Sequence, residues 1–292
     1  MTSLAPEMAE ALRINADLQP PGERDALPWP EQRRIFEATR RYWNTPPLDV
    51  GPVTEGILDC GVACRRYGQQ GADAPLVIYL HGGGWVVGSL DSHDCVARAL
   101  CLHGRLQVVS LDYPLAPETA FADMISSVIA AVREIATTAP TRRIALVGDS
   151  AGAHLAVHAA ALLRGEMGER LAGLVSLYGV LARSLETASA RAFGDGRFGL
   201  SAARMALYWQ TLGAEADPLA LAAPLPPALI IAADCDILRD ASKLFVDQRS
   251  ARGEATEMRI ESGMGHAFMG YGKVVSRVAG TAEEVGAYLR GL

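Results

Sequence analysis

From residue 54 onward, short and nearly uninterrupted apolar runs alternate with stretches of helical periodicity, and few architectures accommodate that alternation. The runs at Leu76–His81, Gln107–Leu111, Arg143–Gly148, Ala172–Leu177 and Ala228–Ala233 show little of the in-out polarity of a strand with one wet face. Strands of this kind are covered on both faces, which points to a parallel sheet between helical layers. Thr54–Asp59 and Val62–Tyr67 flank Gly61 and read as an antiparallel hairpin, and Thr256–Glu261 completes the set. Helical patterns at 92–103 (opened by Ser92), 118–138, 151–164 and 241–252 lie between the runs. Thr281, with Glu284 three residues later, reads as the capping box of a last helix. The expectation is an α/β chain with a mostly parallel, doubly wound, eight-stranded sheet flanked by helices.

Two segments break the alternation. Residues 1–50 have no strand pattern, and Pro20, Pro21, Pro28, Pro30, Pro46 and Pro47 divide them into short helices. They are expected to pack on the main domain, residues 51–292, without joining its sheet. Residues 181–218 read as an insertion, in which Gly194, Gly196 and Gly199 lead into a helix at 201–212 carrying Met205, Tyr208 and Trp209.

Composition narrows the function classes. Of 292 residues half are apolar and 21% charged, an ordinary globular balance. Lys and Arg number 27 against 33 Asp and Glu, and the Arg pairs are scattered, so no nucleic-acid partner is expected. No run approaches the roughly 20 apolar residues of a membrane span, and the first residues lack a secretory pattern. With five cysteines, an odd number, reduced thiols and a cytoplasmic location are expected, and a Cys60–Cys64 disulfide is not.

The sharpest local signal is Gly148-Asp149-Ser150-Ala151-Gly152, between the apolar run Ile144–Val147 and a helix of small residues. A tight strand-to-helix turn of this form exposes a serine hydroxyl at a helix N-terminus, and bulk at the flanking glycines would collide with neighbouring backbone. Such a hydroxyl needs a base. His266, in Gly263-Met264-Gly265-His266, follows the last strand, in the right chain order. The orienting acid should follow Ala228–Ala233, where Asp234, Asp236 and Asp240 compete and periodicity does not choose. His81-Gly82-Gly83-Gly84-Trp85 follows an earlier strand; its amides, joined by that of Ala151, would form an oxyanion hole. His154 and His158 are spaced i, i+4 but lack a third ligand, so no metal is expected, and the chemistry needs no cofactor.

Taken together, HGGGW, Asp112-Tyr-Pro-Leu-Ala-Pro-Glu118, GDSAG, Asp236-Ile-Leu-Arg-Asp240 and GMGHAF resemble the GDSAG branch of the hormone-sensitive-lipase-like bacterial esterases, over about residues 54 to 290. The resemblance implies the α/β-hydrolase fold, an N-terminal helical cap, Asp236 as the triad acid, and the amides of Gly83 and Gly84 facing the oxyanion. The chain departs from that pattern at Pro114, where arginine is usual, and at Ala153-His154, where Gly-Asn is common. The implied activity is hydrolysis of short-chain carboxylic esters through an acyl-enzyme. Trp85, Met205, Tyr208, Trp209 and Phe268 are the candidates to line the pocket. An amidase, deacetylase or carbamate hydrolase with the same triad, or a ligand-binding protein on the same fold, are the alternatives. A small-molecule ester is the expected partner, and a homodimer stays open.

Overall fold

The computed structural model describes residues 3–22, 24–68 and 74–292. Met1, Thr2 and Glu23 of the N-terminal segment lie outside them. In chain order the elements are α1 (Pro6–Asp17), α2 (Trp29–Trp43), β1 (Val53–Ile57), β2 (Ala63–Tyr67), β3 (Leu76–Leu80), α3 (Asp94–Leu102), β4 (Val108–Asp112), α4 (Phe121–Thr138), β5 (Ile144–Asp149) and α5 (Ala151–Met167). They continue with β6 (Leu171–Leu177), α6 (Ala188–Phe193), α7 (Ala202–Leu212), β7 (Ala228–Cys235), α8 (Arg239–Ala251), β8 (Thr256–Gly265) and α9 (Arg277–Gly291).

The eight strands form one sheet in the order β1-β2-β4-β3-β5-β6-β7-β8. β1, β2 and β4 pair antiparallel, and every pair from β4 through β3 to β8 is parallel. The apolar runs account for this. β3, β5 and β6 are buried along their whole length, whereas β8, at the edge, alternates over its first residues. One face of the sheet packs on α4 and α5 through residues such as Val128, Val132 and Leu155, and the other on α3 and α9 through Val96, Leu100, Val285 and Leu289. The strand order reverses between β3 and β5, and the C-terminal ends of strands at such a switch point are where open α/β sheets build their sites.

Two helix starts differ from the sequence reading. α9 opens at Arg277, a turn before Thr281, and the Thr281 hydroxyl donates to Glu261 Oε1 at 2.8 Å; the Glu284 carboxylate pairs with Arg277. A buried carboxylate on the neighbouring strand therefore takes the hydroxyl that a capping box would have used. Ser92 does not cap α3, which starts at Asp94; its hydroxyl accepts from the Ser89 amide at 2.8 Å and bonds His93 Nδ1 at 2.9 Å within the preceding loop. By contrast Ser201 caps α7, accepting from the Arg204 amide at 3.0 Å. All five cysteines are free.

The N-terminal helices lie against the sheet's C-terminal side. The Ala5 amide donates to Gly263 O at 2.8 Å, and Met8 is fully buried. From α2, Arg33 Nε donates to Val86 O at 2.7 Å and its Nη2 to Ala116 O at 2.9 Å. The 181–218 insertion meets this segment through Arg204, whose guanidinium pairs with Asp25 and donates to Gln32 Oε1 at 2.7 Å, while Trp29 stacks on Tyr208 with ring centroids 6.3 Å apart.

Candidate active site

Ser150 sits between β5 and α5 with φ 50° and ψ −118°, a left-handed conformation that a serine adopts only under constraint. The constraint comes from both sides. The Ser150 amide donates to Leu177 O at 2.9 Å, and its carbonyl accepts from the Val180 amide at 3.1 Å. A Cβ on Gly152 would lie 2.0 Å from Leu80 O, and one on Gly148 would lie 2.4 Å from the Gly152 backbone, so α5 can leave the sheet this tightly only with glycine at both positions. The strained turn lifts the hydroxyl above the strand ends at the N-terminus of α5.

His266 follows β8, and register brings it to the serine's neighbourhood. β7 and β8 pair in parallel, with an irregularity between Ala233 and Cys235, so that Cys235 faces Gly265. The next residue on each strand is then Asp236 and His266. His266 Nδ1 lies 2.7 Å from Asp236 Oδ2, and its Nε2 lies 2.9 Å from Ser150 Oγ. A carboxylate only accepts, so Nδ1 carries the hydrogen and the Nε2 lone pair faces the hydroxyl. Asp236 is almost wholly buried, and its other oxygen accepts from the Leu238 amide at 3.0 Å.

The competing aspartates face elsewhere. Asp234 accepts from the Gly263 amide at 3.5 Å and from Arg239 Nη1 at 3.4 Å. Asp240, in the first turn of α8, accepts from the Ser189 amide at 2.8 Å and pairs with Arg239.

The glycine loop after β3 forms the facing wall. The Gly82 amide is taken: it donates to Asp149 Oδ1 at 2.7 Å. The amides of Gly83, Gly84 and Ala151 have no acceptor among the described residues. Gly84 has φ 60°, and a Cβ there would meet the Tyr208 ring at 2.4 Å, so the loop passes beneath the α7 aromatic only as glycine. An oxyanion between these amides and the start of α5 would find donors already oriented.

Asp149 was read in sequence only as part of the turn motif, yet it ties the two halves of the site together. The Tyr79 hydroxyl also donates to its Oδ1, at 2.5 Å. Burial pushes its carboxyl up to about 6, against the pull of Tyr79 and the Gly82 amide. Tyr178 was missed as well. It has φ 39°, packs edge-on to the His266 ring at 5.3 Å and lines the cavity, and no sequence pattern marks it. The glycine stretch of the insertion also reaches the site: Phe198 O accepts from the His266 amide at 3.0 Å.

A cavity of about 150 Å³ opens over Ser150 and His266, bounded by Gly83, Gly84, Phe36, Leu200 and Tyr208 among others. Tyr208 is the one expected pocket residue on this wall. The expectation for Trp85, Met205, Trp209 and Phe268 is corrected, because none of the four lines this cavity and all are buried against other side chains. Trp85 meets Trp209 in a tilted ring contact at 4.6 Å and His154 edge-on at 5.0 Å beneath α7, and Met205 belongs to the same cluster. Phe268 packs on the opposite sheet face, edge-on to Tyr178 at 5.3 Å. α7 turns one stripe to the cavity and its wider apolar face to the protein, and three of its large side chains cannot share the narrow stripe. His154 and His158 both direct Nε2 at Ala216 O, at 2.6 and 3.3 Å, so they anchor the end of the insertion; burial holds both below the usual histidine range. Among the described residues no group of three or more His, Cys, Asp or Glu could hold a metal ion, and no helix is long and apolar enough to cross a membrane.

A serine hydroxyl on an imidazole nitrogen, with a carboxylate on the other, can lose its proton as it attacks an electrophilic carbon. Known proteins share the fold. A family described as the alpha/beta hydrolase fold matches residues 77–270. An ester hydrolase from the metagenome of Lake Arreo, solved with a bipyridine phosphonate derivative, is 30% identical with a TM-score of 0.87, over 99% of this chain and 98% of that one. A hyperthermophilic esterase from the archaeon Pyrobaculum calidifontis is 26% identical with a TM-score of 0.88, again over 99% and 98%. An esterase of the bacterial hormone-sensitive lipase family is 26% identical with a TM-score of 0.84, over 99% of both chains. With this sheet order, this strained serine turn and these relatives, the chain belongs to the α/β hydrolase family, alongside esterases of the hormone-sensitive lipase type.

Proposed function

We propose that this chain is a serine carboxylesterase acting on short-chain esters. The observation that carries the reading is the continuous Ser150–His266–Asp236 relay, at 2.9 and 2.7 Å. His266 takes the proton of Ser150 while Oγ bonds to the ester carbonyl carbon. The charge that develops on the carbonyl oxygen is met by the amides of Gly83, Gly84 and Ala151. Asp236 accepts the Nδ1 hydrogen throughout and stabilises the imidazolium. His266 then protonates the departing alcohol, leaving an acyl group on Ser150; water, deprotonated by the same nitrogen, attacks that acyl carbon, the bond to Oγ breaks as His266 returns the proton to Ser150, and the acid departs. Short acyl groups suit a cavity of about 150 Å³, well below the roughly 300 Å³ at which pockets for drug-sized ligands begin. In the same reading residues 1–50 and the 181–218 insertion act as a cap, supported by the Arg204–Gln32 bond of 2.7 Å and the Trp29–Tyr208 stack at 6.3 Å across the two segments. The test is hydrolysis of p-nitrophenyl butyrate by the purified protein together with covalent labelling of Ser150 by a fluorophosphonate. A native protein that does neither refutes the reading.

A further inference from the structure

The wall of the cavity built by α2 holds a guanidinium that makes no ion pair among the described residues, the Asp149 carboxylate across the cavity acting on it only at longer range. Arg40 is only 6% exposed and lines the same cavity as Ser150 and His266. Its Nε donates to Ser92 O at 3.0 Å, and its Nη2 to Gly270 O at 2.9 Å and to Cys95 Sγ at 3.2 Å. Those contacts use carbonyls and a thiol and leave Nη1 with no acceptor among the described residues. No carboxylate of the described residues forms an ion pair with Arg40, although every other buried arginine has one: Arg204 pairs with Asp25, and Arg249 with Glu254 at 3.1 Å. Asp149, the one carboxylate of the described residues on the cavity wall, accepts from Tyr79 and Gly82 through Oδ1. His93 beside it is held neutral by burial, with Arg40 itself opposing a second positive charge there.

A buried cation without a counterion is unfavourable unless something else supplies the charge. Two carbonyls compensate in part, and a guanidinium edge open to a ligand cavity is a ready receptor for a carboxylate. We propose that the ester this protein takes bears a carboxylate on its non-reacting end, held by Arg40 while Ser150 attacks the ester carbonyl. This rests on the esterase reading and names its substrate class: a hemiester of a dicarboxylic acid, or an ester whose alcohol half carries an acid group. The apolar part of the wall, Phe36, Leu200 and Tyr208, would hold the carbon chain between the two ends.

The experiment compares matched pairs of substrates. One pair is mono-p-nitrophenyl adipate and p-nitrophenyl hexanoate, with the charge on the acyl side. The other is the butyrate ester of p-hydroxybenzoic acid and p-cresyl butyrate, with the charge on the alcohol side. The wild-type protein is expected to favour the charged member of at least one pair in kcat/KM. In Arg40→Gln that charged-to-neutral ratio falls by about 10- to 100-fold, mainly through KM, as expected for a lost hydrogen bond to a charged group. Arg40→Lys, which keeps the charge, retains part of the ratio. Fluorophosphonate labelling of Ser150 in each variant reports an assembled site. Neutral members favoured in both pairs, or a ratio unchanged in labelled Arg40→Gln, overturns the inference and leaves the esterase reading standing. Absence of all hydrolysis and of labelling in the wild type would sink the esterase reading itself.

Discussion

Asp236 and His266 stand side by side because Cys235 and Gly265, the residues just before them, are register partners across β7 and β8. The Nδ1–Oδ2 contact of 2.7 Å is a consequence of strand pairing, so it is as rigid as the sheet itself. That rigidity is what a histidine base requires, since a ring free to rotate would present the wrong nitrogen.

Ser150→Ala is expected to lower turnover of p-nitrophenyl butyrate by roughly 10⁴- to 10⁶-fold and to leave the thermal midpoint close to wild type, since the substitution removes one oxygen. Steady-state kinetics on protein shown by circular dichroism to be folded checks this. Near-normal turnover would place the nucleophile elsewhere.

Replacement of each aspartate after β7 separates the three candidates. Asp236→Asn should reduce kcat by about 10²- to 10⁴-fold, because the amide cannot hold the Nδ1–H tautomer in the same way. Asp234→Asn should change kcat only a few-fold, because its carboxylate meets Arg239 and the Gly263 amide, not His266. The reverse order of losses would transfer the acid's role to Asp234.

Gly84→Ala places a Cβ 2.4 Å from the Tyr208 ring at a positive φ. The loop or the ring must shift, at a cost of about 1–3 kcal/mol in stability, and kcat/KM should drop about 10²-fold as the amides move off the oxyanion. Gly165→Ala is the control: it lies in α5, where a Cβ meets nothing within 4 Å. It should stabilise the protein by about 0.5–1 kcal/mol without affecting kcat. Chemical denaturation and initial rates on both variants decide it.

Asp149 makes stability depend on pH in a defined direction. Its folded carboxyl is raised to about 6 from 3.8, chiefly by burial, so the fold favours the protonated form. The stabilisation from this group is complete below about pH 4 and is lost as the pH climbs through about 6. Asp149→Asn keeps an oxygen for the Tyr79 hydroxyl and the Gly82 amide but has no proton to lose. Relative to wild type it should gain on the order of 2 kcal/mol between pH 4 and pH 7. Denaturant midpoints across that range measure the gain, and parallel curves for the two proteins would refute it.

The strands and the turn at Ser150 were legible in the sequence because their causes are local. An apolar run covered on both faces carries its own signature, and Gly148 records a collision with Gly152 four residues on, whereas Gly152 records the close approach of Leu80 on β3. That His266 would come to lie beside Ser150 was legible from chain order alone. Periodicity did not choose among Asp234, Asp236 and Asp240, which share one short segment; the family resemblance pointed to Asp236, and the β7–β8 register, with its irregularity after Ala233, is what physically sets that carboxylate against His266. The pocket wall was misread for a related reason. Trp85, Met205, Trp209 and Phe268 are as apolar as Tyr208, but the direction each faces depends on how α7 and the loops settle on the sheet. The Thr281-Glu284 pattern failed because α9 already begins at Arg277 and the Thr281 hydroxyl donates to Glu261 of β8. Arg40 is one arginine among many in the sequence; its burial without an ion pair among the described residues is a property of the packed molecule. Hydrophobic periodicity and the small residues of the turn thus set the elements, while contacts between distant segments set which carboxylate meets His266, which side chains wall the cavity and how Arg40 is buried there.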